Sequence, residues 1–166
     1  MDLAKLREDF PTLREENAPA YLDNACVTLK PDSVVSTIHD YYSKTPGCGG
    51  RSVHRYGTKI SQATAQARSK LQHFLNAESQ KEIVFTRNAT HSLNQVAHGL
   101  SWKKGDVVLT TDREHNSNLV PWLQLEHEQQ IDHRVVSSNS DNTFDLEAFE
   151  TACANAGSKL KLVSMS

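Results

Sequence analysis

Apolar residues along this chain follow two kinds of spacing. In six longer segments they recur every three or four positions, which is typical of amphipathic helices that bury one face. The predicted helices are residues 2–10, 31–45, 61–75, 93–100, 118–128 and 145–156. Short apolar or β-branched runs bounded by turn residues predict strands instead. The predicted strands are residues 19–25, 82–86, 106–110, 132–137 and 159–165.

Strands and helices alternate from residue 82 onward. Because a helix between two strands allows them to lie parallel in one sheet, this order predicts an α/β fold with a mainly parallel sheet and flanking helices. The last predicted strand, residues 159–165, is apolar enough to be a buried central strand, yet no helix follows it. We therefore expect an open sheet edge there, which needs a partner.

Composition narrows the classes of function. The 166 residues include 18 Lys and Arg against 20 Asp and Glu, a net charge of −2, which argues against nucleic-acid binding. Three cysteines without a Cys-x-x-Cys pair argue against a disulfide framework or a structural zinc site. The N-terminus has no apolar signal segment, and no apolar run approaches the length of a membrane span. We therefore expect a cytoplasmic protein without membrane contact.

A turn at residues 87–92 lies between a predicted strand and a predicted helix. The first N–H groups of a helix have no partner within the helix, so together with the hydroxyls of Thr90 and Ser92 they could hold an anion such as phosphate. The alternative is that Asn88 or Thr90 only caps the helix. Both interpretations remain open at this point.

A polar cluster at residues 111–118 follows the next predicted strand. Ligands of open α/β sheets bind where the strands end, so His115 could stack on an aromatic cofactor or transfer protons. The alternative is an ordinary solvated histidine. A metal site is disfavoured, because neither the adjacent pair Glu114 and His115 nor His54 has further ligands at a suitable spacing.

A glycine-containing loop precedes Arg51, His54 and Arg55. The arginine fork suits carboxylates and phosphates, although a salt bridge at the rim of a site is its commoner use. Cys48 lies in the same loop but has no adjacent histidine to activate it, so a nucleophilic role is disfavoured.

Four segments together resemble one family. Residues 20–25, 52–55, 85–94 and 114–122 are similar, in this order, to the N-terminal part of the class V aminotransferases, and most of all to the SufS-type cysteine desulfurases. All 166 residues can be aligned with that family with small gaps. Four matches in the correct order are far more specific than any one of them.

The resemblance implies the N-terminal part of a fold-type I transferase that uses pyridoxal 5′-phosphate (PLP) and works as a homodimer. It implies an arm and partial small domain at residues 1–60, then the first part of the large cofactor-binding domain at 61–166. Seven residues acquire roles by their match. The resemblance implies that Ala89 and Thr90 bind the cofactor phosphate and that His115 stacks on the pyridine ring. The turn of Asn24 and Ala25 lies near the substrate, and His54 and Arg55 approach the partner's active site.

Departures from the family pattern limit what the resemblance implies. The usual Thr-Thr-Glu of the phosphate turn reads Ala89-Thr90-His91, so one hydroxyl contact is missing. The family's cofactor-bonding Lys, catalytic Cys, pyridinium-pairing Asp and carboxylate-binding Arg all belong to its later part. The lysines at positions 30, 44, 59 and 70 lack the family's Ser-x-His-Lys context. We therefore assign no catalytic residue in this chain.

Three hypotheses follow. The first is the N-terminal portion of a PLP-dependent cysteine desulfurase, which would convert L-cysteine to alanine and an enzyme persulfide, with a sulfur-acceptor protein and iron–sulfur cluster assembly as its implied context. It would be inactive alone and would need a second copy or a complementary C-terminal chain. The second is a non-catalytic remnant that dimerises or binds a partner. A flavodoxin-like or nucleotide-binding domain is disfavoured, because no Gly-x-Gly-x-x-Gly or P-loop motif occurs.

Overall fold

The computed structural model describes residues 2–166 and separates into two compact units, Met1–Ile83 and Val84–Ser166. Both units contain helices, whereas every strand found among the described residues belongs to the second. None of these helices combines the length and apolar character that crossing a bilayer requires. The division between an arm with a partial small domain and a large domain at residues 60 and 61 stays a prediction.

The first unit contains α1 (Leu3–Arg7), α2 (Asp32–Lys44) and α3 (Arg55–Phe74). These helices confirm the three helical segments predicted there, with α1 shorter and α3 longer than the pattern indicated. The N-termini of α1 and α3 are capped by side chains: the Asp2 carboxylate accepts from the Ala4 N–H at 3.1 Å, and His54 Nδ1 accepts from the Gly57 N–H at 3.4 Å. Each cap satisfies a donor that the helix itself cannot.

Gly57 is the one buried residue among those described in the first unit. A Cβ there would lie 2.5 Å from Ser52 Cβ and 2.7 Å from the Ser52 carbonyl oxygen, so only glycine allows the loop to approach α3 this closely. The helices are otherwise half-buried or exposed. Their apolar faces, which the sequence pattern predicts, therefore have no core to cover within this unit.

The strand predicted at residues 19–25 is wrong. The segment is irregular and ends in a turn in which the Asp23 carbonyl accepts from the N–H groups of Cys26 at 3.2 Å and Val27 at 3.0 Å. The Tyr21 hydroxyl also donates to the Val27 carbonyl and closes the same turn. The backbone groups are thus satisfied locally, and none of the described residues supplies a neighbouring strand.

The second unit contains a three-stranded parallel sheet with the order β2-β1-β3, where β1 is Val107–Thr111, β2 is Asp132–Val136 and β3 is Leu160–Val163. Its helices are α4 (Ala89–Gly99), α5 (Val120–Gln129) and α6 (Leu146–Ala156). The predicted α/β class and parallel sheet are confirmed.

Strand β1 is buried on both faces. Val108 packs with Trp122 and Leu125 of α5, and Ala97 of α4 joins the same cluster. The side chains of Val107 and Leu109 point to the opposite face, where they pack against Ala156 of α6. Because successive side chains of a strand alternate between faces, one short strand anchors helices on both sides of the sheet. Each fully buried Val or Leu contributes about 1.5–3 kcal/mol to this core.

The structure also decides the two remaining strand predictions. Residues 82–86 form no strand: Gln80–Glu82 is a 3-10 turn, and Ile83 is extended but pairs with no described strand. The last predicted strand does form, as β3, but it lies at the edge of the sheet, where it pairs with β1 alone among the described residues. Its side chains are only half-buried or exposed, in agreement with the expected open edge, although the segment is apolar enough for a central strand.

Candidate cofactor site

The N-terminus of α4 has donors that its own residues do not use. The Asn88 side chain caps the helix, since its Oδ1 accepts from the His91 N–H at 2.9 Å. No described residue accepts from the N–H groups of Ala89 and Thr90 or bonds to the Thr90 hydroxyl. Capping and an anion site are therefore compatible here, because the cap uses one donor and leaves two others pointing outward with the positive end of the helix dipole.

The other residues of this turn bond to one another. The Ser92 and Thr86 hydroxyls lie 2.7 Å apart, and Ser92 Oγ also donates to the Asn88 carbonyl at 3.3 Å. His91 Nδ1 accepts from the Arg87 N–H at 3.3 Å. Of the two hydroxyls that the sequence suggested for an anion, Thr90 is thus the available one, whereas Ser92 holds the turn together.

His115 follows β1 at its carboxyl end and begins a 3-10 turn, Asn116–Asn118. Its Nδ1 accepts from the Ser117 N–H at 3.1 Å and lies 2.9 Å from Ser117 Oγ. The side chain is exposed, and Nε2 has no partner among the described residues. One edge of the imidazole is therefore fixed, while its faces and its other nitrogen are available to a ligand.

Glu114 ties the loop that carries His115 to its surroundings. Its carboxylate accepts from the Thr111 hydroxyl at 2.6 Å, from Asn118 Nδ2 at 2.6 Å and from the Ser166 N–H at 3.2 Å. Burial by itself raises the pKa of the Glu114 carboxyl, but these hydrogen bonds outweigh it, so the pKa is lowered from its ordinary value. Glu114 is consequently an ionised hydrogen-bond acceptor at neutral pH.

Asn118 extends this network into the core. The residue is buried, and its Oδ1 accepts from Trp122 Nε1 at 3.2 Å and from the Ser164 hydroxyl just beyond β3. The Glu114–Asn118 pair thus joins the ends of β1 and β3 to the start of α5. Sequence reasoning missed this pair, although an acid and an amide four positions apart around His115 were a visible signal.

The two candidate contacts belong to one unit. Helix α4, which begins with Ala89 and Thr90, contacts the 3-10 turn that His115 opens. A ligand that combines an anionic group with an aromatic ring would find a donor set for the first and a stacking surface for the second within this unit.

The remaining predicted site residues lie in the first unit and are all exposed. Asn24 and Ala25 form part of the turn that follows Tyr21, where the Asn24 carbonyl accepts from the Thr28 hydroxyl at 3.3 Å. His54 caps α3 and Arg55 is its first residue. Their predicted roles near the substrate and the partner's active site stay predictions.

The glycine loop before His54 borders a groove of about 660 Å³ that includes Cys48, Ile60 and Ser61. The Gly50 N–H donates to Ser61 Oγ at 2.8 Å, and Gly50 has φ +83°, which favours glycine. The Cys48 thiol is exposed, and its one hydrogen-bond partner among the described residues is the Gly49 carbonyl at 3.8 Å.

A helix-flanked parallel sheet, with unpartnered donors at a helix start and an exposed histidine beyond its carboxyl edge, is the arrangement at which open α/β domains bind ligands. The sequence model of the aminotransferase class-V family matches residues 20–166. The chain therefore belongs to the class-V aminotransferase family.

Similar proteins include cysteine desulfurases. The chain is 37% identical to a probable cysteine desulfurase from Synechocystis sp., over 98% of this chain and 39% of that protein. A cysteine desulfurase from Synechococcus elongatus is 33% identical, over 98% of this chain and 26% of the relative. The chain thus spans at most about two-fifths of the length of these relatives.

Solved structures agree on the fold. The apo cysteine desulfurase from Thermococcus onnurineus NA1 superposes with a TM-score of 0.82 at 31% identity, over 98% of this chain and 39% of that one. The cysteine desulfurase CsdA from Escherichia coli superposes with a TM-score of 0.78 at 28% identity, over 98% of this chain and 40% of that one. A C-DES mutant with glycine covalently linked to its PLP cofactor gives 0.74 at 23% identity, which shows the fold alone. The interpretation of this chain as the N-terminal part of a fold-type I transferase is confirmed.

Proposed function

We propose that this chain is the N-terminal portion of a PLP-dependent cysteine desulfurase. In the reaction, the C–S bond of L-cysteine breaks, the sulfur forms an S–S bond with an enzyme thiol, and a proton replaces it at Cβ. L-cysteine and the thiol thus become alanine and an enzyme persulfide without an outside oxidant or reductant. The observation that carries the proposal is the availability of His115 at the carboxyl end of the central strand, in a chain whose relatives are cysteine desulfurases.

The residues present fit PLP, which carries a phosphate and an aromatic ring. The unpartnered N–H groups of Ala89 and Thr90 and the Thr90 hydroxyl suit the phosphate. The exposed imidazole of His115 suits the ring. Alanine at position 89 offers no hydroxyl, so we expect one phosphate contact fewer than in the usual family pattern.

In this proposal the cofactor supplies an electron sink for the bonds at the substrate's α and β carbons. The residues of this chain bind and orient it. Thr90 and Ala89 would hold its phosphate at the start of α4. His115 would lie against the ring, exclude water from it and present Nε2 as the nitrogen at which a proton can be held.

The missing groups must come from another chain segment. No lysine or cysteine of this chain is assigned to covalent chemistry, so we propose that it works in a homodimeric assembly completed by a C-terminal part that carries them. We further propose a cytoplasmic enzyme that passes sulfur to an acceptor protein, as in iron–sulfur cluster assembly. The open edge at β3 supports the need for a covering partner.

Reconstitution tests the proposal. The 166-residue chain is mixed with a chain carrying the part of the Synechocystis relative that follows the matched region, or is fused to it. Alanine formed from L-cysteine is then measured with PLP and a thiol reductant. We expect alanine only when both parts are present. Each part alone and the intact relative are the controls.

Failure of both the mixture and the fusion, with an active intact relative, would reject the proposal. The replaced residues of the phosphate turn, Ala89 and His91, favour one alternative in that case, a non-catalytic module that binds a partner.

The chain by itself should not hold PLP covalently. We expect its absorbance after PLP treatment to return to that of the untreated protein on dialysis, because exposed lysines bond aldehydes only reversibly. A stoichiometric adduct that survives dialysis and disappears with a single Lys substitution would place the cofactor lysine within these 166 residues.

A further inference from the structure

The loop that carries His115 is held by two separate sets of hydrogen bonds. Glu114 and Asn118 fix its backbone to β1 and β3, as described above. Ser117 instead contacts the imidazole itself, through its N–H at 3.1 Å and its hydroxyl at 2.9 Å, both at Nδ1. The first set positions the turn, and the second acts on the ring.

The Ser117 contact determines which ring nitrogen carries the proton. A backbone N–H can only donate, so the Nδ1 that accepts it has no hydrogen of its own. The neutral imidazole must then carry its proton on Nε2, the nitrogen without a partner among the described residues. The hydroxyl of Ser117 can rotate to donate to the same Nδ1 and reinforce this state.

His73 shows the opposite arrangement. Its Nδ1 lies 2.7 Å from the Ser69 carbonyl oxygen, which can only accept. The Nδ1 of His73 therefore carries a proton. His115 and His73 are both exposed, lie in different units and have backbone partners that select opposite tautomers.

We propose that Ser117 is a positioning residue that fixes the rotation and tautomer of His115, so that an Nε2–H donor is presented to whatever stacks on the ring. The role in the reaction rests on the proposed function, whereas the tautomer is a property of this chain. Within the frame of Glu114 and Asn118, the turn keeps the Ser117 N–H aimed at Nδ1. A proton donor at Nε2 suits a cofactor or substrate group that accepts a hydrogen bond.

The test is a two-bond ¹H–¹⁵N correlation spectrum of the ¹⁵N-His-labelled chain, recorded at a pH where its histidines are neutral. We expect the Nε2–H pattern for His115 and the Nδ1–H pattern for His73 in the same spectrum. Ser117→Ala keeps the N–H but removes the hydroxyl donor. The Nδ1 resonance of His115 should therefore move toward that of an unbonded nitrogen while the Nε2–H pattern is retained and His73 is unchanged.

Two results would overturn the proposal. One is a Nδ1–H or mixed pattern for His115 in the unsubstituted chain, and the other is an unchanged Nδ1 resonance in Ser117→Ala. If the variant fails to fold, the spectrum of the unsubstituted chain decides alone. Because neither measurement uses PLP, a failed reconstitution would count against the desulfurase function without touching this inference.

Turnover in the reconstituted enzyme is the second measurement of the role of Ser117. Loss of one hydrogen bond to the ring should lower kcat of Ser117→Ala by about tenfold, the equivalent of roughly 1.4 kcal/mol, while the Kd for PLP changes little. An equal loss in both quantities would indicate a merely structural role for Ser117.

Discussion

The two units use similar helices but differ in what those helices cover. In Val84–Ser166, β1 is buried on both faces and gives α4, α5 and α6 a surface to pack against. In Met1–Ile83, amphipathic helices form without a sheet, and Phe74 remains 84% exposed. Helical spacing therefore suffices to form a helix, but burial of its apolar face depends on a second layer.

The same difference separates the candidate site residues. Thr90 and His115 stand on a unit whose core fixes the ends of its strands and helices. Asn24, Ala25, His54 and Arg55 stand on a unit in which Gly57 is the one described residue that is buried. We infer that the proposed cofactor residues are preorganised within this chain, whereas the proposed substrate and interface residues depend on what packs against the first unit.

The largest expected effect comes from truncating a buried leucine, and it tests the contrast in burial between the two units. Leu125 of α5 is fully buried, whereas Leu75 after α3 is 61% exposed. Leu125→Ala should lower the free energy of unfolding by about 2–5 kcal/mol, since it leaves a cavity in the core. Leu75→Ala should change it by less than about 1 kcal/mol. Urea unfolding followed by far-ultraviolet circular dichroism measures both, because helices of both units contribute.

A large loss of unfolding free energy in Leu75→Ala would contradict the difference in burial between the two units. It would show that the first unit buries this side chain in solution, for example against another chain. Light scattering on the same samples would then reveal the assembly.

The accuracy of the sequence predictions follows the same division. Helices α2, α4, α5 and α6 and strands β1 and β2 were predictable because local spacing and their packed environment agree. The wrong strands at 19–25 and 82–86 have suitable residues but no ladder partner among the described residues. Strand formation is a property of the pair, so a single segment cannot reveal it.

The site was predictable only in its outer part. Thr90 and His115 could be found from turn chemistry and the family resemblance. The Glu114–Asn118 pair could not be assigned, because its meaning depends on Ser164, which lies 46 positions beyond Asn118 in sequence. Ser117 was visible beside His115, but only coordinates show that its N–H reaches Nδ1.

The second largest expected effect is on PLP affinity, which we expect to depend on a threonine of the second unit and not on one of the first. In the reconstituted enzyme, Thr90→Ala should remove one hydrogen bond to the phosphate, worth about 1.5–3 kcal/mol, and weaken PLP binding roughly ten- to a hundredfold. Thr64→Ala is the matched control, because the hydroxyl of this exposed threonine of α3 bonds to the Ile60 carbonyl at 2.9 Å and to no other group in the described part of the chain. PLP titration followed by absorbance measures both. Equal affinities for the two variants would refute the assigned phosphate contact.

The smallest expected effect is a pH dependence confined to the second unit. His133 of β2 is half-buried, and its Nε2 lies 2.9 Å from the hydroxyl of the buried Thr110. Burial lowers the pKa of His133 from its ordinary 6.5, and the nearby charges of Glu126 and Asp132 offset this only in part.

The sign of the effect follows from proton binding. Just below pH 6.5, the unfolded chain protonates this imidazole while the folded chain keeps it neutral. The unfolded state then binds more protons, so the free energy of unfolding decreases as pH falls from about 6.5 toward the lowered pKa of the folded state. Above pH 6.5 the imidazole is neutral in both states, so it causes no loss of stability there. Glu114 changes stability only at pH values below the ordinary pKa of its carboxyl, 4.5. Measurements at pH 5.5 and 7.5 therefore report on His133 and not on Glu114.

Urea unfolding at these two pH values should show a smaller difference for His133→Gln than for the unsubstituted chain, because the variant has no proton to bind at this position. His73→Gln, on exposed α3, is the matched substitution in the first unit, and we expect the larger change from His133→Gln. The reverse ranking would mean that the pH dependence originates in the first unit, and that its histidines occupy a more buried environment in solution than α3 provides. Since the sheet encloses Thr110 and the adjacent helix presents Glu126, the second unit is where a neutral histidine is enforced by structure.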